Sequence, residues 1–105
     1  MALILENCEG FEWDDGNANK NWHLHRVTDR ESEAIFFNRP IIIIFDDKHV
    51  SDEPRHIALG RTDADRRLFV AFVIRNKLIR VISARDMTRS DERRYEEKAK
   101  RDTGI

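Results

Sequence analysis

The sequence predicts an α+β domain in which an antiparallel sheet of four to five strands packs with N-terminal helices on one face and ends in a C-terminal helix. Three observations carry this reading. Helical spacing with capping signals is confined to residues 14–38 and 88–101, strand-type runs fill residues 41–84, and two of those runs are joined by only three residues. So short a connection requires antiparallel pairing.

The first strand is expected at Gly10 to Asp14, where Phe11 and Trp13 alternate with Glu12 and Asp14. Asp14 or Asp15 then caps a helix to about His25, with Ala18, Asn21, Trp22 and His25 on one face. Thr28 and Glu31 form a capping box for a second helix that buries Ala34, Ile35 and Phe37 and stops at Asn38 to Pro40. Ile41 to Phe45 is short, continuous and β-branched, the pattern of a strand buried on both faces. Asp46 to Asp52 is a polar, mobile connection. A strand from Arg55 to Arg61 follows, with Gly60 opening a turn through Asp65. Leu68 to Ile74 and Leu78 to Ala84 form a hairpin about Arg75, Asn76 and Lys77. The tail helix, Thr88 to Arg101, carries Met87, Tyr95 and Ala99 as nearly its only apolar residues, so it docks lightly or packs on a partner.

A chain of 105 residues with 40% apolar side chains can bury one core, and residues 1–105 are read as a single domain. The formal net charge of −1 conceals a division. Residues 1–53 hold 5 basic and 12 acidic side chains, and residues 54–105 hold 14 basic and 8 acidic. The second half is a basic module attached to an acidic one. A lone cysteine, Cys8, fits a reducing compartment, and neither a leader nor a membrane span is visible, so a cytoplasmic location is expected. Phosphate-binding loops, dinucleotide glycine patterns, nucleophile elbows and zinc spacings are missing; His23, His25, His49, His56 and Cys8 give no metal site, and no cofactor is implied.

What remains is a set of strand arginines. A regular strand places Leu78, Arg80, Ile82 and Ala84 on one face and Ile79, Val81, Ser83 and Arg85 on the other. Arg80 among apolar neighbours must be paired, with Glu53 or Glu12, or must hold a phosphate, because a lone buried charge costs several kcal/mol. Glu53 and Arg55 form an acid-x-base pair at a strand start, in the same sheet as Arg80, Arg85 and His56. Ribonuclease chemistry without metal needs a base for the 2′-hydroxyl, a cation for the phosphorane and an acid for the leaving 5′-oxygen, and one Glu or His with two Arg is the minimum set. Tyr95 could stack on a base or anchor its helix, and His25 could simply pack on Trp22 at a helix end.

Phe11-Glu12-Trp13-Asp14, Asn21, His25 and Val27, Glu53-x-Arg55 with Ala58-Leu59-Gly60, Ile79 to Arg85 and Glu92-Arg93-Arg94-Tyr95 together resemble the BrnT family, in order, over residues 10–97. The resemblance implies a RelE-like fold and a metal-independent endoribonuclease toxin that cleaves messenger RNA. It also implies neutralisation by a BrnA-like antitoxin, whose complex with the toxin contacts operator DNA. Matching polar positions are Asp14, Asn21, His25, Glu53, Arg55, Arg80, Arg85 and Tyr95. The chain departs from the family pattern at Asn17, where a lysine is usual, and in Leu24-His25-Arg26-Val27, where Lys-His-Gly-Val is usual. The leading expectation is that Arg55, Arg80 and Arg85 bind phosphate, that Glu53 or His25 transfers the proton, and that Arg61, Arg75, Lys77 and Tyr95 hold RNA. The alternative is a weakly active or inactive homologue that binds protein or nucleic acid.

Overall fold

The computed structural model describes residues 5–47 and 52–103. Its elements are β1 (Gly10–Phe11), α1 (Lys20–His25), α2 (Asp29–Ala34) running into a 3-10 turn (Ile35–Phe37), β2 (Ile42–Phe45), β3 (His56–Arg61), β4 (Arg67–Arg75), β5 (Leu78–Asp86) and α3 (Arg89–Thr103). The five strands form one sheet in the order β1-β5-β4-β3-β2. Three pairings are antiparallel, as expected; β1 instead runs parallel to β5, so the sheet is mixed. No helix among the described residues is long and apolar enough to cross a membrane.

The hairpin turn is Asn76-Lys77 alone, both at positive φ, which matches the right-handed twist of the flanking strands. The Thr28 and Glu31 capping box forms in full. Gly60 lies inside β3 rather than opening the turn, which falls at Thr62 to Asp65 with Asp65 at positive φ. A Cβ at Gly60 would stand 3.0 Å from the Ile35 Cβ, so glycine lets the 3-10 turn lie directly on the sheet.

Helices cover both faces of the sheet, not one. Val27, Ile35 and Phe36 pack on Ala58, Leu68, Val70, Phe72, Ile79, Val81 and Ala84. On the opposite face α3 contributes Tyr95, which packs with Ile42 and Leu59 while its hydroxyl donates to the Pro40 carbonyl at 2.7 Å. Most other α3 side chains are exposed, in keeping with so few apolar residues. β2 is an edge strand with Phe45 exposed, not a strand buried on both faces. The expected mobility of Asp46 to Asp52 concerns a segment whose centre, residues 48–51, lies outside the described residues.

The helix expected from Asp14 is only Lys20–His25. Asp14, Gly16 and Asn17 fold instead into a turn, because short polar side chains compete for backbone groups. The Asp14 amide donates to Asn17 Oδ1 (2.9 Å), and the Asn17 side chain donates to the carbonyls of Glu12 (3.0 Å) and Val81 (3.1 Å). Asn21 Oδ1 accepts from the Ala84 amide (2.9 Å). Beyond the two-residue β1, then, two buried asparagine side chains close the open edge of β5 in place of a strand. Position 17 is therefore part of the framework rather than a place for a surface cation.

Two stability predictions follow from this packing. Asn21→Ala leaves the buried Ala84 amide unpaired and should cost about 1–3 kcal/mol by urea unfolding. His56 stacks on Phe72, faces Phe45 edge-on and has no partner for its buried Nδ1 among the described residues; burial pushes its pKa down. A depressed folded value means stability present above the unfolded value of about 6.5 and lost as pH falls through the folded one. His56→Phe should remove that step from a profile of unfolding free energy against pH.

Candidate nucleic-acid interface

β5 is not regular. Ala71 pairs with Ser83 and Phe72 with Val81, so Ile82 has no partner and forms a bulge. Ile79, Val81 and Ala84 all enter the core cluster, and the register returns Leu78, Arg80, Ser83 and Arg85 to the other face. Arg80 and Arg85, expected on opposite faces, thus share one, together with Arg75 and Val73 of β4 and Ile57 and Leu59 of β3. Arg55 precedes His56, and alternation puts it on this face too.

At the hairpin end of this face, charges meet in pairs. Glu12 and Asp14 alternate with the core residues Phe11 and Trp13 and so turn toward Arg80. Arg80 Nη1 donates to Glu12 Oε1 (3.0 Å) and Asp14 Oδ2 (2.9 Å), and Nη2 donates to Asp14 Oδ1 (2.9 Å). Glu53 accepts two bonds from Arg75, one of them at 2.8 Å from Nη2. Of the two partners expected for Arg80, Glu12 binds it directly and Glu53 acts through its field. The Arg75 hydrogen bonds, with Arg80 behind them, hold the Glu53 carboxyl below its ordinary value. Arg80 and the Gly16 amide do the same for Asp14. Glu53 is therefore ionised at neutral pH, able to accept a proton but weakened as a base while Arg75 holds it. Arg55 is half-buried and makes no ion pair among the described residues.

Arg85 sits about 13 Å further along the same face, four residues of β4 away. It lies over the Phe69 ring at 3.9 Å and donates to Asp91 Oδ2 at 2.8 Å. Burial pushes the Asp91 carboxyl up, but the Thr88 amide and hydroxyl and the Arg85 guanidinium outweigh it and hold the group ionised. Asp91 also caps α3, so Arg85 ties the sheet to that helix.

The remaining candidates lie apart from the Glu53 cluster. His25 is exposed at the end of α1, where its carbonyl and that of Arg26 accept from Arg66. It is Arg26, not His25, that covers Trp22. His56 points into the opposite core face. Lys77 occupies the hairpin turn, 3.7 Å from Glu9. Arg61 donates to the Arg39 carbonyl. Tyr95 is buried with Arg67 over its ring, the position of a helix anchor rather than of a platform open to a base. Residues whose place the sequence did not reveal are Arg66, which joins Asp86, Glu31 and α1, and Asp14 with Gly16, whose signal was the i, i+2 placement of Glu12 and Asp14.

Arg85→Gln should lower stability by about 1–3 kcal/mol, since it leaves the nearly buried Asp91 short of a partner. Arg75→Gln, at an exposed pair, should leave the thermal midpoint unchanged. Differential scanning fluorimetry of the two variants checks the contrast.

No curated protein matches the chain. A family model described as the ribonuclease toxin BrnT of type II toxin–antitoxin systems matches residues 13–91. That stretch runs from Trp13 to Asp91 and contains Asp14, Gly16, Glu53, Arg55, Arg75, Arg80 and Arg85. With three quarters of its length matched, the chain belongs to the BrnT family of ribonuclease toxins.

Proposed function

We propose that the protein is a metal-independent endoribonuclease that cleaves messenger RNA on the arginine-bearing sheet face, and that a BrnA-like antitoxin neutralises it. The observation that supports this best is the grouping of Glu53 with Arg75, Arg80 and Arg55 at the hairpin end of that face, inside the segment matched by the family. Glu53 is the base: once RNA phosphate draws Arg75 away, its carboxylate takes the proton of the 2′-hydroxyl. The 2′-oxygen attacks the adjacent phosphorus, the bond to the 5′-oxygen breaks, and the products are a 2′,3′-cyclic phosphate and a 5′-hydroxyl. Arg55 and the displaced Arg75 stabilise the charge that builds on the phosphorane, the role a metal plays elsewhere. Glu53 or water returns the proton to the leaving oxygen. Arg85 and Lys77 contact flanking phosphates, and operator DNA is reached only through the complex with antitoxin. His25, beside Asp86 and Arg66, takes no part in this assignment.

Expressed without an antitoxin, the chain should arrest growth and degrade transcripts. Arg55→Gln should reduce cleavage by about 100- to 1000-fold, the loss typical of one transition-state donor, and Glu53→Gln should do so without weakening RNA affinity, since it also frees Arg75. Normal growth with intact transcripts at high levels of folded protein would contradict the proposal.

A further inference from the structure

The Arg80 fork is the best-formed anion receptor on the sheet face, and it is already filled. Asp14 Oδ1 accepts from Arg80 Nη2 (2.9 Å) and from the Gly16 amide (2.8 Å), while Oδ2 accepts from Arg80 Nη1 (2.9 Å). Three N–H groups thus converge on one small anion, the donor set that a guanidinium and a backbone amide offer to two phosphate oxygens. We propose that Arg80 and the Gly16 amide form a binding subsite for an RNA backbone phosphate, and that the Asp14 carboxylate occupies this subsite as a stand-in until RNA displaces it. The inference rests on the ribonuclease reading for its ligand.

Receptor and occupant differ in how firmly they are held. The Arg80 side chain is 12% exposed, rises from β5, and keeps Glu12 on its second Nη1 hydrogen when Asp14 leaves. Asp14 is 57% exposed and lies beyond the end of β1. An exposed carboxylate on a surface pair is held by little net free energy, whereas a guanidinium whose side chain is largely covered needs an anion near it. Exchange of carboxylate for phosphodiester keeps that requirement met.

Gly16 keeps the subsite passable. A Cβ there would stand 2.9 Å from Arg80 Nη2 and 3.1 Å from Asp14 Oδ1, in the space an exchanging anion crosses. The subsite also adjoins the cluster proposed for cleavage, since Arg75 acts on Asp14 and Arg80 on Glu53 through space. The exchange has an electrostatic signature. In the wild-type chain the phosphate contact sheds a cation from the RNA while the freed Asp14 carboxylate attracts one, so the net release is near zero; without Asp14 the same contact gives a net release.

The test uses a 2′-O-methyl RNA oligonucleotide, which cannot be cleaved, and inorganic phosphate as a second probe. Asp14→Asn should bind the oligonucleotide roughly three- to fivefold more tightly. Its slope of log affinity against log salt should be steeper by about 0.7. Asp14→Ser serves the same purpose if the asparagine variant folds poorly. In Arg80→Lys, which keeps the charge and loses the fork, Asp14→Asn should give no gain. In 15N-labelled protein, phosphate should shift the Gly16 amide more strongly in Asp14→Asn than in wild type. Equal oligonucleotide affinity and salt slope with a Gly16 amide unmoved by phosphate would overturn the subsite and leave the ribonuclease reading standing. A Gly16 response to phosphate with no oligonucleotide binding by any variant would keep the subsite and overturn RNA as its ligand.

Discussion

Between Leu68 and Arg75, β4 presents eight residues to nine on β5, and the extra one is Ile82. This bulge governs the rest of the structure. With regular alternation Arg80 and Arg85 would lie on opposite faces, and one of them would be driven into the core made by Val27, Ile35, Phe36 and Phe72. A guanidinium there, without a carboxylate, would cost several kcal/mol. The bulge instead lets Ile79, Val81 and Ala84 fill that core while both arginines reach the other face. A bulged edge also leaves main-chain groups of β5 without a neighbouring strand, and Asn17 and Asn21 satisfy them from buried positions.

The same arrangement explains the charge division along the chain. The acidic first half and the basic second half are joined contact by contact. Glu12 and Asp14 meet Arg80, Glu53 meets Arg75, Glu9 meets Lys77 and Glu31 meets Arg66. A near-neutral total is thus a consequence of folding two opposite segments onto one sheet. It also means that Arg75 and Arg80 beside the proposed reaction are occupied by carboxylates in the free chain, which limits binding of arbitrary polyanions.

Much of this was legible from the residues, and the failures have physical causes. The Leu68 to Ala84 hairpin and the Thr28 capping box rest on local patterns that the fold does not override. The helix assigned to residues 14–19 failed because Gly16, Asn17 and Asn19 favour turns, and because two asparagines were needed to finish the β5 edge. Ile41 to Phe45 has the composition of a central strand, yet edge or centre is decided by which strand pairs with which, and that is not a local property. At the candidate site, Glu53, Arg55 and Arg80 were identifiable from residue type and spacing. The bulge was not, since nothing in Leu78 to Asp86 announces that Ile82 is unpaired. Without it the common orientation of Arg80 and Arg85 could not be derived.

Membership of the BrnT family and the geometry of the sheet face come together in one chemical claim, that arginines alone carry the charge of the transition state. Incubation of the purified chain with a defined RNA in excess EDTA, followed by mass analysis of the fragment ends, addresses it most directly. The account predicts cleavage that EDTA does not reduce, leaving 2′,3′-cyclic or 3′-phosphate ends and 5′-hydroxyls. Cleavage abolished by EDTA, or fragments with 5′-phosphates, would contradict it.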